Sequence, residues 1–184
     1  VEFLKHNAEK IKATGAEKVL FSCAECYHNL SSLESYGIEK SFEAVHLSQL
    51  LPSLVKDKKM SLGSDQRRIA FHDPCYLGRA NKEYDAPRAV LQAFSANTKE
   101  MRRNKSFALC CGAGGGQMFK EAEKGEKEVF IERTEDAIET GAEIIATACP
   151  YCLVMMTDGI KYKNREESMK AYDLAELVAM GLEL

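Results

Sequence analysis

One stretch of this chain occurs twice. Thr14-Gly15-Ala16-Glu17, a short apolar run and Cys23-Ala24-Glu25-Cys26 are matched by Thr140-Gly141-Ala142-Glu143, a short apolar run and Cys149-Pro150-Tyr151-Cys152, displaced by 126 positions. Downstream, Ser41, Ala44, Leu47 and Leu50 align with Ser168, Ala171, Leu174 and Leu177 at a displacement of 127. Self-similarity over such a span means that one supersecondary unit, made of helix, strand, CxxC, helix and a later helix, is built twice. The expected fold therefore has two related lobes. Residues 1–66 read as the carboxyl-terminal part of a first repeat plus a linker, with the polar run Asp57 to Gln66 as the connection. Residues 67–184 read as a complete second repeat. The pair Cys110-Cys111 has no counterpart 126 positions upstream, and the chain starts at Val1 rather than Met. The expectation is a truncated first lobe, the chain being the carboxyl-terminal part of a longer protein.

Short apolar runs alternate with longer amphipathic stretches, which is the pattern of an α/β fold with short parallel sheets flanked by helices. Strands are expected at Lys18–Ser22, Arg68–His72, Ser106–Leu109 and Glu143–Thr147, each ending within a few residues of a cysteine. Helices are expected near 2–14, 27–36, 46–56, 85–95, 117–140, 151–163 and 171–181. The longest would carry Phe119, Ala122, Phe130, Ala137 and Ile138 on one broad face. Open parallel sheets hold ligands beyond the carboxyl ends of their strands. Cys75, Cys110, Cys111, Cys149 and Cys152 should then converge on one edge.

A chain of 184 residues can bury a substantial core without disulfide staples. Its 25 basic and 28 acidic residues leave a net charge of −3. Basic pairs such as Arg67-Arg68 and Arg102-Arg103 read as solvated surface, so nucleic acid is not an expected partner. Ile144 to Met156 is too short to span a bilayer and is interrupted by Pro150. Residues 1–18 read as an amphipathic helix and not as a signal peptide. The expected location is the cytoplasm, with any membrane association supplied by regions or partners outside this chain.

Five of the seven cysteines form one array: Cys75, the adjacent Cys110-Cys111, and Cys149/Cys152. Thiolates are soft ligands for iron-sulfur clusters, and a CxxC presents two sulfurs from one turn. Adjacent cysteines reach one compact cluster only if the backbone bends sharply, and Gly112-Ala113-Gly114-Gly115-Gly116 supplies that freedom. Gly112, Gly114 and Gly115 would also let N–H groups approach sulfur, with a helix start near Gln117 adding positive potential.

Three other readings compete. Structural zinc closes at four ligands, one fewer than the array offers. A thioredoxin-like dithiol needs no adjacent-cysteine companion. A phosphate cradle is disfavoured, because Gly112-x-Gly114-x-x-Gln117 lacks the third glycine of the dinucleotide fingerprint. His72, three residues before Cys75, reads as a donor to sulfur more readily than as a proton carrier. Arg79 suits either an anionic substrate or a nearby carboxylate. Cys23 and Cys26 form a partial first site whose other ligands lie outside the chain. No catalytic residue is assigned.

FHDPCYLGR at 71–79, CCGAGGGQMF at 110–119 and TACPYCLVMMTDGI at 147–160 resemble the CCG, or cysteine-rich, domain found in the B-type and D-type subunits of heterodisulfide reductase and in related iron-sulfur oxidoreductases. The likeness covers roughly residues 67–184, while residues 1–56 resemble the closing part of that family's first repeat. It implies a noncubane [4Fe-4S] cluster on Cys75, Cys110, Cys111, Cys149 and Cys152, and either zinc or a second cluster at the Cys23/Cys26 site. It also implies a domain or subunit that passes electrons between a redox protein or partner subunit and a disulfide or quinone. The rival from another class is a zinc-stabilised interaction module without redox activity.

Overall fold

The computed structural model describes residues 1–121 and 124–182. In chain order, α1 (Glu2–Ala13), β1 (Lys18–Phe21), α2 (Ala24–Ser31), β2 (Glu43–His46) and α3 (Leu47–Lys56) come first. They are followed by β3 (Ile69–Phe71), α4 (Asp85–Phe94), β4 (Thr98–Glu100), α5 (Val129–Glu139), β5 (Ile144–Thr147), α6 (Pro150–Tyr162), β6 (Lys170–Asp173) and α7 (Leu174–Gly181). The fold is mixed α/β, with a two-stranded parallel sheet β1-β2 and a four-stranded parallel sheet in the order β4-β3-β5-β6.

Burial follows composition. β3 and β5 are buried along their whole lengths. Strands covered on both faces need continuous apolar runs, and Ile69-Ala70-Phe71 and Ile144-Ile145-Ala146 provide them. The edge strands β4 and β6 are partly exposed and carry lysines and carboxylates. The larger core is built on this sheet and takes in Leu77, Leu91, Met156 and Leu177. A smaller core gathers Ala8, Phe21, Leu30, Leu33 and Phe42 around the β1-β2 sheet, and Tyr27 packs against both.

The duplication recurs in the backbone. β1 and β2 pair from Lys18↔Glu43 to Phe21↔His46, and β5 and β6 pair from Ile144↔Lys170 to Thr147↔Asp173. His46 and Asp173, the last strand residues of the two pairs, each cap the helix that follows through a reciprocal capping box, with Gln49 and Glu176 as partners.

Several expected elements need correction. Ser106–Leu109 is not a strand: Lys105–Phe107 forms a 3-10 turn with Phe107 exposed, and only Ala108 of this apolar run is buried. The third neighbour in the sheet is β4 instead. Among the described residues, the long helix expected over 117–140 exists only as α5. Before it, Gly114–Phe119 is a short 3-10 segment in which Gly115 and Gly116 take φ of 68° and 73°, the left-handed region that ends a helix. Phe119 is exposed, and Ala122 lies outside the described residues. The helix expected at 27–36 begins earlier, at Ala24, and ends at Ser31 before a separate 3-10 turn. The one expected at 171–181 starts only at Leu174, because Ala171, Tyr172 and Asp173 belong to β6. Strand β2 has no counterpart among the expected elements. Among the described residues, no helix is long and apolar enough to cross a membrane.

Candidate metal centre

Two strand exits and one 3-10 turn deliver the five cysteines of the second array. After β3, His72-Asp73-Pro74 leads to Cys75, which stands at the head of a π-helical turn over Tyr76–Ala80. After β5, Cys149 is the N-cap of α6 with Pro150 at its first position, where a missing N–H costs nothing. Cys152 follows on the first turn, so both sulfurs leave the same helix end. The 3-10 turn Lys105–Phe107 brings in Cys110-Cys111, and Gly112, at φ 90°, reverses the backbone there. Its N–H donates to Cys110 Sγ at 3.4 Å. Gly114 and Gly115 line the pocket described below, whereas Gly112 lies behind it, near the backbone nitrogen of Phe130. The positive potential expected from a helix start at Gln117 is absent, since α5 begins only at Val129.

All seven cysteines are free thiols. Six side chains form a continuous row of electrostatically coupled sulfurs: Cys75 with Cys110, Cys110 with Cys111, Cys111 with Cys152, Cys152 with Cys149 and Cys149 with Cys23. Cys23 also contacts Cys26. The array expected in the second repeat and the first-repeat CxxC thus meet at Cys149.

Neighbouring sulfurs in the row shift one another in opposite directions. Cys110, hydrogen-bonded by Cys111 and then by Cys75, is held far below the ordinary thiol range. Cys149 is lowered in the same way by Cys152, then by Cys23, and further by the N–H groups of Cys152 and Tyr151. Their neighbours move the other way: Cys75, Cys23 and Cys152 are raised by hydrogen bonding to the adjacent sulfur and then by burial. Cys111 is pushed up to about 12, mainly by Cys110. A thiolate in this row is stabilised by the thiols that flank it.

The five cysteines of the second array line one cavity of about 230 Å³, with Met118, Phe119 and Tyr151 among its other walls. Cys111 and Cys152 approach each other and a ring nitrogen of His72 within 4.8 Å, and all three residues are buried. Burial, and then the charge of Arg133, lower the His72 imidazole to about 3, so the ring is neutral.

The neighbouring polar groups have mostly structural partners. Asp73 accepts from Arg88 Nη1 at 2.8 Å and from the backbone N–H of Lys105 at 2.8 Å, fixing the loop that leads into Cys110. Arg79 donates to the carbonyl of Ala108 and serves the same loop, although its charge also favours a Cys75 thiolate. His28 stacks on Tyr76 and contacts Asn81. Met155 and Met156 are core residues.

Arg133 is a buried neighbour of the site that the motifs do not reveal. It is fully buried on α5 and donates from Nε to His72 Nδ1 at 2.9 Å. A signal is present in the sequence, because Phe130, Arg133, Thr134, Ala137 and Ile138 recur at helical spacing, which puts the arginine on the inward face. Asp136 beside it is buried too and accepts from Arg133, Arg102 and Arg103.

Residues 69–157 match the family model described as a cysteine-rich domain, CCG. Over 98% of its length the chain is 37% identical to a probable iron-sulfur-binding oxidoreductase, FadF, of Bacillus subtilis, covering 26% of that protein. It is 34% identical over 98% of its length to an EtfAB:quinone oxidoreductase of Syntrophomonas wolfei, again covering 26% of the relative. Over its whole length it is 36% identical to the D-type subunit of the dihydromethanophenazine:CoB–CoM heterodisulfide reductase of Methanosarcina barkeri, covering 45% of that relative. The chain spans about a quarter to under half of the length of these relatives.

Proposed function

We propose that this chain, whose residues 69–157 carry the cysteine-rich CCG domain, is an iron-sulfur electron-transfer unit of a larger oxidoreductase. The carrying observation is the convergence of five thiols from separate segments on one cavity. The donor set suits such a cofactor: five of the residues lining the cavity are cysteines, the soft ligands such clusters take. Cys75, Cys110, Cys111, Cys149 and Cys152 would hold it, and we read it as the [4Fe-4S] cluster, of noncubane type, that the resemblance implies. When bound, such a group supplies storage and release of single electrons. Residues 67–184 would be the unit that carries it.

The chain's own groups set the conditions. Met118 and Phe119 wall the cavity with apolar surface, and Tyr151 stands half-exposed at α6. A disulfide or quinone acceptor would approach this wall, and a redox protein or partner subunit would deliver electrons. The relatives named as an EtfAB:quinone oxidoreductase and as part of a heterodisulfide reductase support both halves of this reading. Cys23 and Cys26 extend the sulfur row but cannot close a tetrahedral site alone, so zinc or a second cluster there needs further ligands.

Anoxic purification with metal analysis tests the proposal. The expected result is iron with acid-labile sulfide and broad visible absorption. A colourless protein that binds zinc alone overturns it.

A further inference from the structure

Arg133 and His72 are both completely buried beside the cysteine cavity. Besides its Nε bond to His72 Nδ1 at 2.9 Å, Arg133 donates from Nη1 to the Arg103 carbonyl at 2.6 Å and to Asp136 Oδ2 at 3.1 Å. A guanidinium has donors and no acceptor, so His72 Nδ1 must present its lone pair to Arg133. The single proton of the neutral ring therefore sits on Nε2. That nitrogen has no hydrogen-bond partner among the described residues, although a ring nitrogen of His72 lies within 4.8 Å of the Cys111 and Cys152 sulfurs.

Metal-ligating histidines have the opposite polarity. Their outer nitrogen donates to a carboxylate or carbonyl, which leaves the other lone pair free for the metal. Here Arg133 occupies the acceptor nitrogen, so the group left for the sulfurs is an N–H.

We propose that Arg133 is a positioning residue that locks His72 in the Nε2–H form, making it a hydrogen-bond donor to the Cys111 and Cys152 sulfurs and excluding it from the ligand set. The functional consequence rests on the cluster reading above, while the tautomer does not. Hydrogen bonds to cluster sulfurs stabilise the more negative, reduced state and so raise the reduction potential.

Two measurements test this, both at one fixed pH. The first is nitrogen-15 NMR of the metal-free protein. His72 should show an unprotonated Nδ1 and a protonated Nε2 in the parent chain and a mixed signature in Arg133→Met. That variant keeps Asp136 paired with Arg102 and Arg103. A protonated Nδ1 in the parent chain overturns the proposal.

The second is iron content and midpoint potential of the anoxically prepared protein. His72→Phe and Arg133→Met should keep the parent iron content and shift the potential negative. His72→Gln, which restores an N–H near the Nε2 position, should return towards the parent value. Loss of iron in His72→Phe, with the fold intact by circular dichroism, would make His72 a ligand and end the proposal. If the parent binds no iron-sulfur group, the function proposed above fails, and the tautomer measurement still decides the role of Arg133.

Discussion

Cys111 and Cys152 lie with their sulfurs within 4.8 Å of each other, although α5 and β5 separate them along the chain. The contact joins the turn after the 3-10 segment to the first turn of α6, so it forms only when the parallel sheet has assembled. Cys111→Ser should therefore lower iron per chain severalfold while leaving the circular dichroism spectrum unchanged. Cys26→Ser, at the exposed end of the sulfur row, should leave the iron bound by the second array as it is. Colorimetric iron and sulfide assays on both variants check this, and equal iron in Cys111→Ser and the parent would contradict it.

Gly112 holds φ at 90°, a conformation that residues with a Cβ reach at a cost of about 1–2 kcal/mol. Gly112→Ala should lower the melting temperature by several degrees and reduce iron loading, because the cysteine pair just before the turn would be displaced. Gly114→Ala is the control: its Cβ meets nothing within 4 Å, and both readings should stay near the parent. Thermal unfolding followed by far-ultraviolet circular dichroism separates the two.

Asp136 is the counter-charge for a buried arginine. Removing one partner of such a pair costs about 3–5 kcal/mol, and Asp136→Ala should lower the urea midpoint accordingly. Burial alone would raise this carboxyl, but hydrogen bonds from Arg103 and Arg102 more than compensate and hold it below its ordinary 3.8. The stabilisation is thus present above about pH 4 and lost as pH falls through the folded-state value. Urea titrations from about pH 3 to 7 should show a shallower acid limb in Asp136→Asn than in the parent.

Asp173 behaves in the opposite sense. Burial raises its carboxyl from 3.8 to about 6. Between these values the folded chain keeps a proton that the unfolded chain has released, so this group lowers stability as pH rises through that window and has no further effect above it. Asp173→Asn keeps an oxygen to accept from Ala175 N–H, which now donates to Oδ1 at 2.9 Å. It should flatten the profile between about pH 4 and 6 and be at least as stable as the parent at about pH 7. A variant with an unchanged slope would remove Asp173 from the account.

The parts of the fold legible in the sequence are those in which apolar content is continuous. β3 and β5 are found within a residue or two because interior parallel strands need unbroken hydrophobic runs, and β1, although it lies in a two-stranded sheet, carries the apolar Val19-Leu20-Phe21. Glu43-Ala44-Val45-His46, Thr98-Lys99-Glu100 and Lys170-Ala171-Tyr172-Asp173 are edge strands with charged residues, and nothing in their composition separates them from loops. Residues 117–128 mislead because the apolar Met118 and Phe119 continue a helical period that Gly115 and Gly116 have already broken. The cysteine array is legible because thiol spacing is local chemistry. The His72–Arg133 bond is not, since its partners lie on different elements, and an arginine in an amphipathic helix ordinarily reads as a solvated charge.

The contact between Cys23 and Cys149 gives the polypeptide a directional weakness. Cys26, next to Cys23, is the exposed cysteine of the row, whereas Cys111, Cys149 and Cys152 are enclosed. Peroxide arriving from bulk water has its freest access at Cys26, on the first turn of α2, and oxidation favours access together with thiolate character. A sulfenic acid formed there would condense with the Cys23 thiol to a disulfide and release water, so early air damage should appear as a Cys23–Cys26 crosslink while Cys111, Cys149 and Cys152 are still reduced.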